Sequence, residues 1–281
     1  MTTTPTVLMD GLTFPEGPRW HEGRLWFSDF YSHRVIALGL DGKAETIVEV
    51  PGRPSGLGWL PDGRLLVVSM LERKLMRLDP GGLVVAGDLS GVAGGPCNDM
   101  VVDGKGRAYI GNFGYDRHGG GEYRAADMAR VDPDGSVHVV ARGLDFHNGT
   151  VITPDGTTLI CGESHGSRLT AWDVAADGGL SDQRLFADIA PNFPDGICLN
   201  AEGDVWCADP RHNECILVEE GGVILDRVST GDRGAFACML GGEDRRTLFI
   251  CTNTASGPKA EQARAGCIEF IEVKTPGAGW P

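Results

Sequence analysis

The 281-residue sequence lacks an excess of basic residues and long apolar runs, and each absence excludes functional classes. Its formal net charge is −14, whereas nucleic-acid binding requires a basic surface, so we expect no nucleic-acid partner. No stretch approaches the length of a membrane span. The first residues show neither the cationic start nor the apolar run of a signal peptide. We therefore expect a cytoplasmic protein with no membrane partner.

Paired-cysteine motifs are also missing, because none of the eight cysteines forms a CxxC pair. Cys161, Cys198 and Cys207 lie inside predicted strands, where cysteine behaves as a small buried hydrophobic residue. We therefore expect reduced thiols in the core, as is usual in the cytoplasm.

What the sequence does contain is a sixfold repeat of short apolar strands and tight turns. Equivalent turns are centred on Gly23, Gly63, Gly106, Gly156, Gly203 and Asp244, at separations of 40, 43, 50, 47 and 41 residues. A period of this size, built from strand-length units, is typical of a propeller with four-stranded blades. We predict one all-β domain over residues 1–281, a six-bladed β-propeller.

The two ends of the chain indicate how the ring closes. The sixth repeat has no convincing fourth strand, while the apolar run Thr6–Met9 precedes the first repeat without a partner. Pairing this run with the last blade would cover an exposed sheet edge. No sustained helical periodicity is present, and the glycine-rich segment Phe113–Asp127 is interpreted as a loop over one face.

The repeat aligns six residues, eight positions before each turn and seven before the first: Glu16, Ser55, Asn98, Asn148, Asp195 and Phe236. Inner strands of a propeller surround a channel, so equivalent positions converge on its axis. Two carboxylates with amide oxygens suit a hard divalent cation such as Ca²⁺ or Mg²⁺. The alternative is that Glu-Gly, Asn-Gly and Asp-Gly are ordinary turn dipeptides, but their shared offset favours a metal site.

The chain resembles the regucalcin/gluconolactonase family of six-bladed, metal-dependent lactonases. The stretches that carry the resemblance are FPEGPRW with Glu16, CNDMVVDGKGRAYIGN with Asn98, NGTVITPDG with Asn148 and FPDGICLNAEGDVW with Asp195. The resemblance implies that Glu16, Asn148 and Asp195 bind one divalent metal ion, that Asn98 borders the metal or the substrate, and that Asp195 is also the general base. We expect Ca²⁺, with Zn²⁺, Mg²⁺, Mn²⁺ or Fe²⁺ as alternatives.

One departure from the family concerns the substrate. Family members that act on sugar lactones carry an arginine two residues before the position of Asn98, and this chain has Pro96 there. We therefore expect a preference for less hydroxylated lactones or esters, unless Arg53 or Arg117 replaces that arginine. The acidic lid residue of the family is matched only approximately, by Asp116 or Glu122.

The segment from Phe113 to Glu122 is expected to shape the substrate pocket, with Phe113 and Tyr115 as apolar walls. His147 precedes Asn148 and is expected to pack or to hydrogen-bond rather than to catalyse. Polar residues also recur at the ends of the second strands, where we expect turn caps and some residues that orient metal ligands. They are Asp29, Asn112, Glu163, Asp209 and Asn253.

The expected function is metal-dependent hydrolysis of a small-molecule lactone or related ester by a monomer or small homo-oligomer. The cation would polarise the carbonyl, and Asp195 would take a proton from the attacking water. A Ca²⁺-binding propeller that acts as a scaffold or sensor, and phosphotriester hydrolysis at the same site, are the alternatives. A strictosidine-synthase-like condensation is disfavoured by the set of Glu16, Asn148 and Asp195.

Overall fold

The computed structural model describes residues 4–117 and 119–279. Within them, six antiparallel sheets of four strands each are arranged as the blades of a six-bladed β-propeller. The predicted all-β class and the sixfold repeat are confirmed.

In blades 1 to 5 the strands follow one another in chain order from the axis outward. The chain starts with β1 (Thr6–Leu12), and blade 1 then contains β2 (Pro15–His21), β3 (Arg24–Asp29), β4 (Arg34–Leu38) and β5 (Ala44–Glu49). Blade 2 contains β6 (Pro54–Trp59), β7 (Leu65–Ser69), β8 (Lys74–Asp79) and β9 (Gly82–Asp88). Blade 3 contains β10 (Cys97–Val102), β11 (Ala108–Asn112), β12 (Ala126–Val131) and β13 (Val137–Leu144).

The second half of the ring repeats this order. Blade 4 contains β14 (His147–Ile152), β15 (Thr158–Glu163), β16 (Arg168–Val174) and β17 (Leu180–Asp188). Blade 5 contains β18 (Ile197–Leu199), β19 (Val205–Asp209), β20 (Glu214–Val218) and β21 (Ile224–Ser229). Blade 6 contains β22 (Gly234–Gly241), β23 (Thr247–Asn253), β24 (Gly266–Glu272) and, as its outer strand, β1.

The ring is closed as predicted, by the pairing of β1 with β24. The two strands are antiparallel, with Thr6 opposite Phe270 and Met9 opposite Ile268. The first and last segments of the chain therefore share one sheet, and the outer edge of β24 is covered.

The core lies between adjacent blades. Strands such as β7 (LLVVS) and β19 (VWCAD) are buried along their whole length, because each sheet packs against a neighbour on both faces. Trp20 of blade 1 stacks on Phe249 of blade 6, with ring centroids 5.5 Å apart. All eight cysteines are buried and unpaired, as expected of core residues.

One helix is not anticipated from the sequence. The six-residue α1 (Pro258–Ala263) lies in the connection between β23 and β24. It is shorter than two turns, so no helical period can develop along it. No helix within the described ranges has the length and apolarity needed to cross a membrane.

Ring closure leads to a prediction about stability. A variant that begins at Asp10 loses most of β1 and leaves β24 as an unpaired edge. We expect its Tm to fall by several degrees, since a loss of 1 kcal/mol lowers the Tm of a domain of this size by about 2–4 °C. A variant that lacks only residues 1–3 is the control. An unchanged melt and unchanged solubility in the longer truncation would show that β1 does not close the ring.

Candidate active site

The aligned residues lie where the inner strands depart from regular pairing. The register shifts between Cys97 and Met100 in β10 and between His147 and Thr150 in β14, so that Asn98 and Asn148 lie inside the irregularities. The inner strand of blade 1 shifts directly after Glu16. A bulge releases a residue from the ladder and redirects its side chain. Equivalent bulges therefore direct residues of different blades toward one space.

That space is a cavity of about 690 Å³ lined by residues from all six blades. Glu16, Asn98, Asn148 and Asp195 all line it, and we call these four residues the polar floor. Phe236 also lines the cavity, whereas Ser55 is buried. The structure thus brings together the four polar residues that the repeat aligned.

The two carboxylates of the polar floor are held in an unfavourable environment. Burial raises the pKa of Glu16 well above its ordinary value, and the charge of Asp195 raises it further. Burial also raises the pKa of Asp195 to about 8, against the opposing effects of a hydrogen bond with Asn148 and the positive charge of Arg117. Additional positive charge in the cavity would therefore favour ionisation of both carboxyls.

Asn148 is oriented by a hydrogen-bonded chain. Its Nδ2 donates to Ser164 Oγ at 3.1 Å, and Ser164 Oγ donates to Pro194 O at 2.6 Å. Asn148 Oδ1 accepts no hydrogen bond from the residues that the structure describes. The amide oxygen therefore remains available for a ligand. Asn98 is fixed by donation from its Nδ2 to His147 O at 3.3 Å.

The predicted row of strand-end residues anchors the segments that lead into the inner strands. Asp29 Oδ1 accepts hydrogen bonds from Thr13 N at 2.9 Å and Phe14 N at 2.7 Å, just before Glu16. Asp209 Oδ2 accepts from Phe193 N at 3.0 Å, two residues before Asp195. These carboxylates fix the backbone next to two floor residues, and the expectation that some of the row orient metal ligands stays a prediction.

A glycine beside the floor allows two blades to approach closely. Gly149 N donates to Asp195 O at 3.1 Å, and a Cβ on Gly149 would lie only 2.4 Å from Ile197 N. Any larger residue would push apart the strands that carry Asn148 and Asp195. Glycine at this position is therefore a packing requirement of the site.

A buried ion pair in the channel is missed by the sequence analysis. Arg19 Nη2 of β2 reaches Asp99 Oδ1 of β10 at 2.7 Å, and it also donates to Met100 O at 2.5 Å. Both side chains are almost fully buried. The pair links blades 1 and 3 across the channel, and the charge of Arg19 slightly opposes the rise in the pKa of Glu16. The only sequence signal is proximity to the aligned positions, because Arg19 follows Glu16 by three residues and Asp99 directly follows Asn98.

The wall formed by the glycine-rich loop agrees only partly with expectation. Phe113 lines the cavity and stacks on Phe146, with ring centroids 4.7 Å apart. Asp116 is exposed, its Oδ1 accepts a hydrogen bond from Gly119 N, and it is not part of the cavity lining. Its role in substrate binding therefore remains a prediction. Pro96, Arg53 and Arg117 all line the cavity, so arginines are available despite the proline.

A second wall was not foreseen. The connection after β23 brings residues 254–259, including the first residues of α1, to the cavity. The equivalent connections of blades 1, 2, 4 and 5 contain only four residues, so the repeat does not predict this longer one. The sixth blade thus contributes Phe236 and this connection to the cavity, rather than a floor ligand.

Ser164 and His147 could be taken for a catalytic nucleophile and base, but both are buried side chains with structural contacts. Residues 162–166 read GESHG, a match to the GxSxG pattern of serine hydrolases. Ser164, however, is fully buried, and it begins a strand-to-strand connection rather than a strand–helix elbow. His147 is also fully buried, its Nε2 lies 2.7 Å from Thr150 Oγ1, and burial lowers its pKa to about 3. These contacts agree with the expected packing role of His147.

The donors of the floor fit a hard divalent cation. The described residues contain no group of three or more His, Cys, Asp or Glu side chains that could hold a metal, so the set depends on the amide of Asn148. Two carboxylates with raised pKa values and one free amide oxygen supply charge and donors suited to Ca²⁺ or Mg²⁺.

The raised pKa of Asp195 gives a prediction about the metal-free protein. A folded-state pKa of about 8, against an ordinary value of 3.8, means that the folded protein holds this proton more tightly than the unfolded chain. The resulting stability is present below the unfolded pKa and is lost as the pH rises through the folded one. With a chelator present, we expect the Tm of the wild type to fall more steeply than that of Asp195→Asn between about pH 5 and about pH 8. Asp173→Asn, at an exposed surface ion pair, is the control, and parallel curves for Asp195→Asn and wild type would contradict the assignment.

Comparison with known proteins relates this cavity to a family. The sequence profile described as SMP-30/Gluconolactonase/LRE-like region matches residues 14–254. The chain is 26% identical to the 6-deoxy-6-sulfogluconolactonase of Pseudomonas putida over 99% of this chain and 98% of that protein. It is 26% identical to a pentonolactonase of Haloferax volcanii over 98% of this chain and 96% of that protein. In fold it is similar to the calcium-binding protein regucalcin of Agrobacterium tumefaciens, with a TM-score of 0.82, 21% identity and coverage of 100% of this chain and 97% of that one. The chain therefore belongs to the SMP-30/gluconolactonase/LRE-like family.

Proposed function

We propose that the protein is a metal-dependent lactonase whose divalent cation is held by Glu16, Asn148 and Asp195. The observation that carries the proposal is the polar floor itself, in which the half-buried carboxylate of Glu16 and the buried carboxylate of Asp195, both with raised pKa values, lie beside a free amide oxygen. Two relatives that match nearly the whole chain are named as lactonases, which supports lactone hydrolysis. The calcium-binding regucalcin of the same fold makes Ca²⁺ the first metal to test.

The cation, when bound, supplies a positive charge that polarises the lactone carbonyl, stabilises the developing oxyanion and keeps both carboxylates ionised. Asp195 then accepts a proton from the attacking water as general base and returns it to the ring oxygen as the acyl bond breaks. Asn98 lies on the same floor and can donate its remaining amide hydrogen to the substrate. The aromatic side chains of the cavity wall exclude bulk water and position the lactone ring of the substrate.

The shape of the site favours an enzyme over a scaffold. A structural cation is usually enclosed by protein ligands, whereas these donors lie at the bottom of a cavity of about 690 Å³, a volume within the range of small-molecule sites. No feature of the cavity specifically favours phosphotriesters over lactones. Lactone hydrolysis is therefore the function that we test first.

The test removes the metal ion with a chelator and, separately, removes the proposed metal-binding carboxylates by substitution. We expect EDTA to abolish hydrolysis of a lactone panel and one added cation to restore it. Glu16→Gln and Asp195→Asn should lower bound metal, measured by elemental analysis, and Asp195→Asn should lower kcat by about 10²-fold or more, since it also removes the general base. Asp173→Asn, an exposed carboxylate outside the cavity, should retain both metal and activity.

Three outcomes separate the alternatives. Full activity in EDTA, or full metal occupancy in both floor variants, would reject the metal-dependent mechanism. Metal binding to the floor without turnover of any lactone would instead indicate a sensor or scaffold.

A further inference from the structure

The walls of the cavity carry positive charge, of which only the charge of Arg117 is seen to act on a floor carboxyl, by lowering the pKa of Asp195. Four cationic residues line the cavity, namely Arg53, Arg117, Arg211 and Lys259. They lie on four separate connections of the ring. The acidic residues in the same lining are Glu16 and Asp195, whose charge a bound divalent cation would balance. The cationic wall then remains without a counter-charge.

The four cationic side chains of the wall form no ion pairs with the residues that the structure describes. Acidic partners are abundant in a chain of net charge −14. Most arginines outside the cavity are paired, as Arg107 is with Asp103 at 2.6 Å. Arg53 Nε is moreover buried without a hydrogen-bond partner, which costs free energy unless a ligand satisfies it.

Each of the three arginines lies over an aromatic ring. The guanidinium carbon of Arg53 is 4.6 Å from the ring centroid of Tyr31, that of Arg117 is 5.4 Å from Phe146, and that of Arg211 is 3.7 Å from Phe193. All three rings also line the cavity. Cation–π contact with the face of a guanidinium holds it in place and leaves its N–H edges free for bidentate binding of an oxyanion.

Arg117 and Arg211 both lie near His165. The positive charges of Arg117 and Arg211 both lower the pKa of His165, although burial is the larger cause. The His165 ring stacks on Phe146 at 4.7 Å, so both guanidinium groups lie on the same side of the cavity. Arg53, which lies over Tyr31 in another segment, approaches from elsewhere on the wall.

We infer that the substrate carries a group that is anionic at neutral pH, such as a carboxylate, sulfonate or phosphate, in addition to the lactone or ester that is hydrolysed. The arginine wall binds this group while the floor holds the reacting carbonyl. The inference rests on the proposed function and specifies its substrate class. It also gives the arginines a role different from that of gripping the hydroxyl groups of a neutral sugar ring.

The experiment uses two γ-lactones that differ only in charge, 5-oxotetrahydrofuran-2-carboxylate and its primary carboxamide. With the metal-loaded protein at low ionic strength, we expect kcat/KM for the acid to exceed that for the amide by at least about tenfold. The ratio should fall as salt is added, because exposed guanidinium groups are screened. A ratio at or below one would overturn the inference.

Arginine variants test which residues produce the preference. Arg53→Gln, Arg117→Gln and Arg211→Gln should each lower the acid-to-amide ratio, chiefly through KM for the acid, and the triple variant should bring the ratio close to one. Arg184→Gln changes the net charge equally, but removes a surface ion pair with Asp173 outside the cavity, so it should keep the wild-type ratio. A ratio unchanged in all single variants would contradict the assignment even if the triple variant fails to fold.

Binding measured by calorimetry separates this inference from the proposed function. Tighter binding of the acid than of the amide, without hydrolysis of either, would support the anionic ligand and reject the lactonase. Hydrolysis of the amide at least as fast as that of the acid, with equal binding, would support the lactonase and reject the anionic ligand.

Discussion

The pairing of β1 with β24 constrains the whole ring, and the position of Glu16 depends on it. The chain leaves β1 in blade 6 and enters β2 in blade 1 through Thr13 and Phe14. Asn253 of blade 6 donates to Thr13 O at 2.8 Å, and Asp29 of blade 1 accepts from Thr13 N at 2.9 Å. The short segment between β1 and β2 therefore both closes the ring and fixes the position of Glu16 relative to Asp195.

The closed ring concentrates charge of opposite sign at different depths of one cavity. On the floor, Glu16 and Asp195 are forced together in a buried environment that raises both pKa values. Around the wall, arginines lie over aromatic rings without acidic partners. The floor is unfavourable for the protein alone, because burial disfavours its charged carboxylates. A cation on the floor would relieve this cost, and an anionic group would give the wall arginines a partner.

The sequence predicts the features that repeat, and it fails where the repeat stops. The period identified the six blades, and the common offset before each turn identified the floor residues. Arg211, Lys259 and α1 belong to connections that differ from blade to blade, so no alignment within the chain marks them. The partner of Arg19 is hidden for another reason, because a contact between blades 1 and 3 has no local signature. The GESHG match at residues 162–166 is a purely local pattern, and the burial of Ser164 removes its catalytic meaning.

The most direct measurement of the central claim is the location of the cation. Crystals of the active protein grown with Ca²⁺ or Mn²⁺ should show one anomalous difference peak in the cavity. It should lie about 2.0–2.6 Å from oxygen atoms of Glu16, Asn148 and Asp195. A peak at other residues, or no peak on the floor in crystals of protein that hydrolyses lactones, would contradict the account.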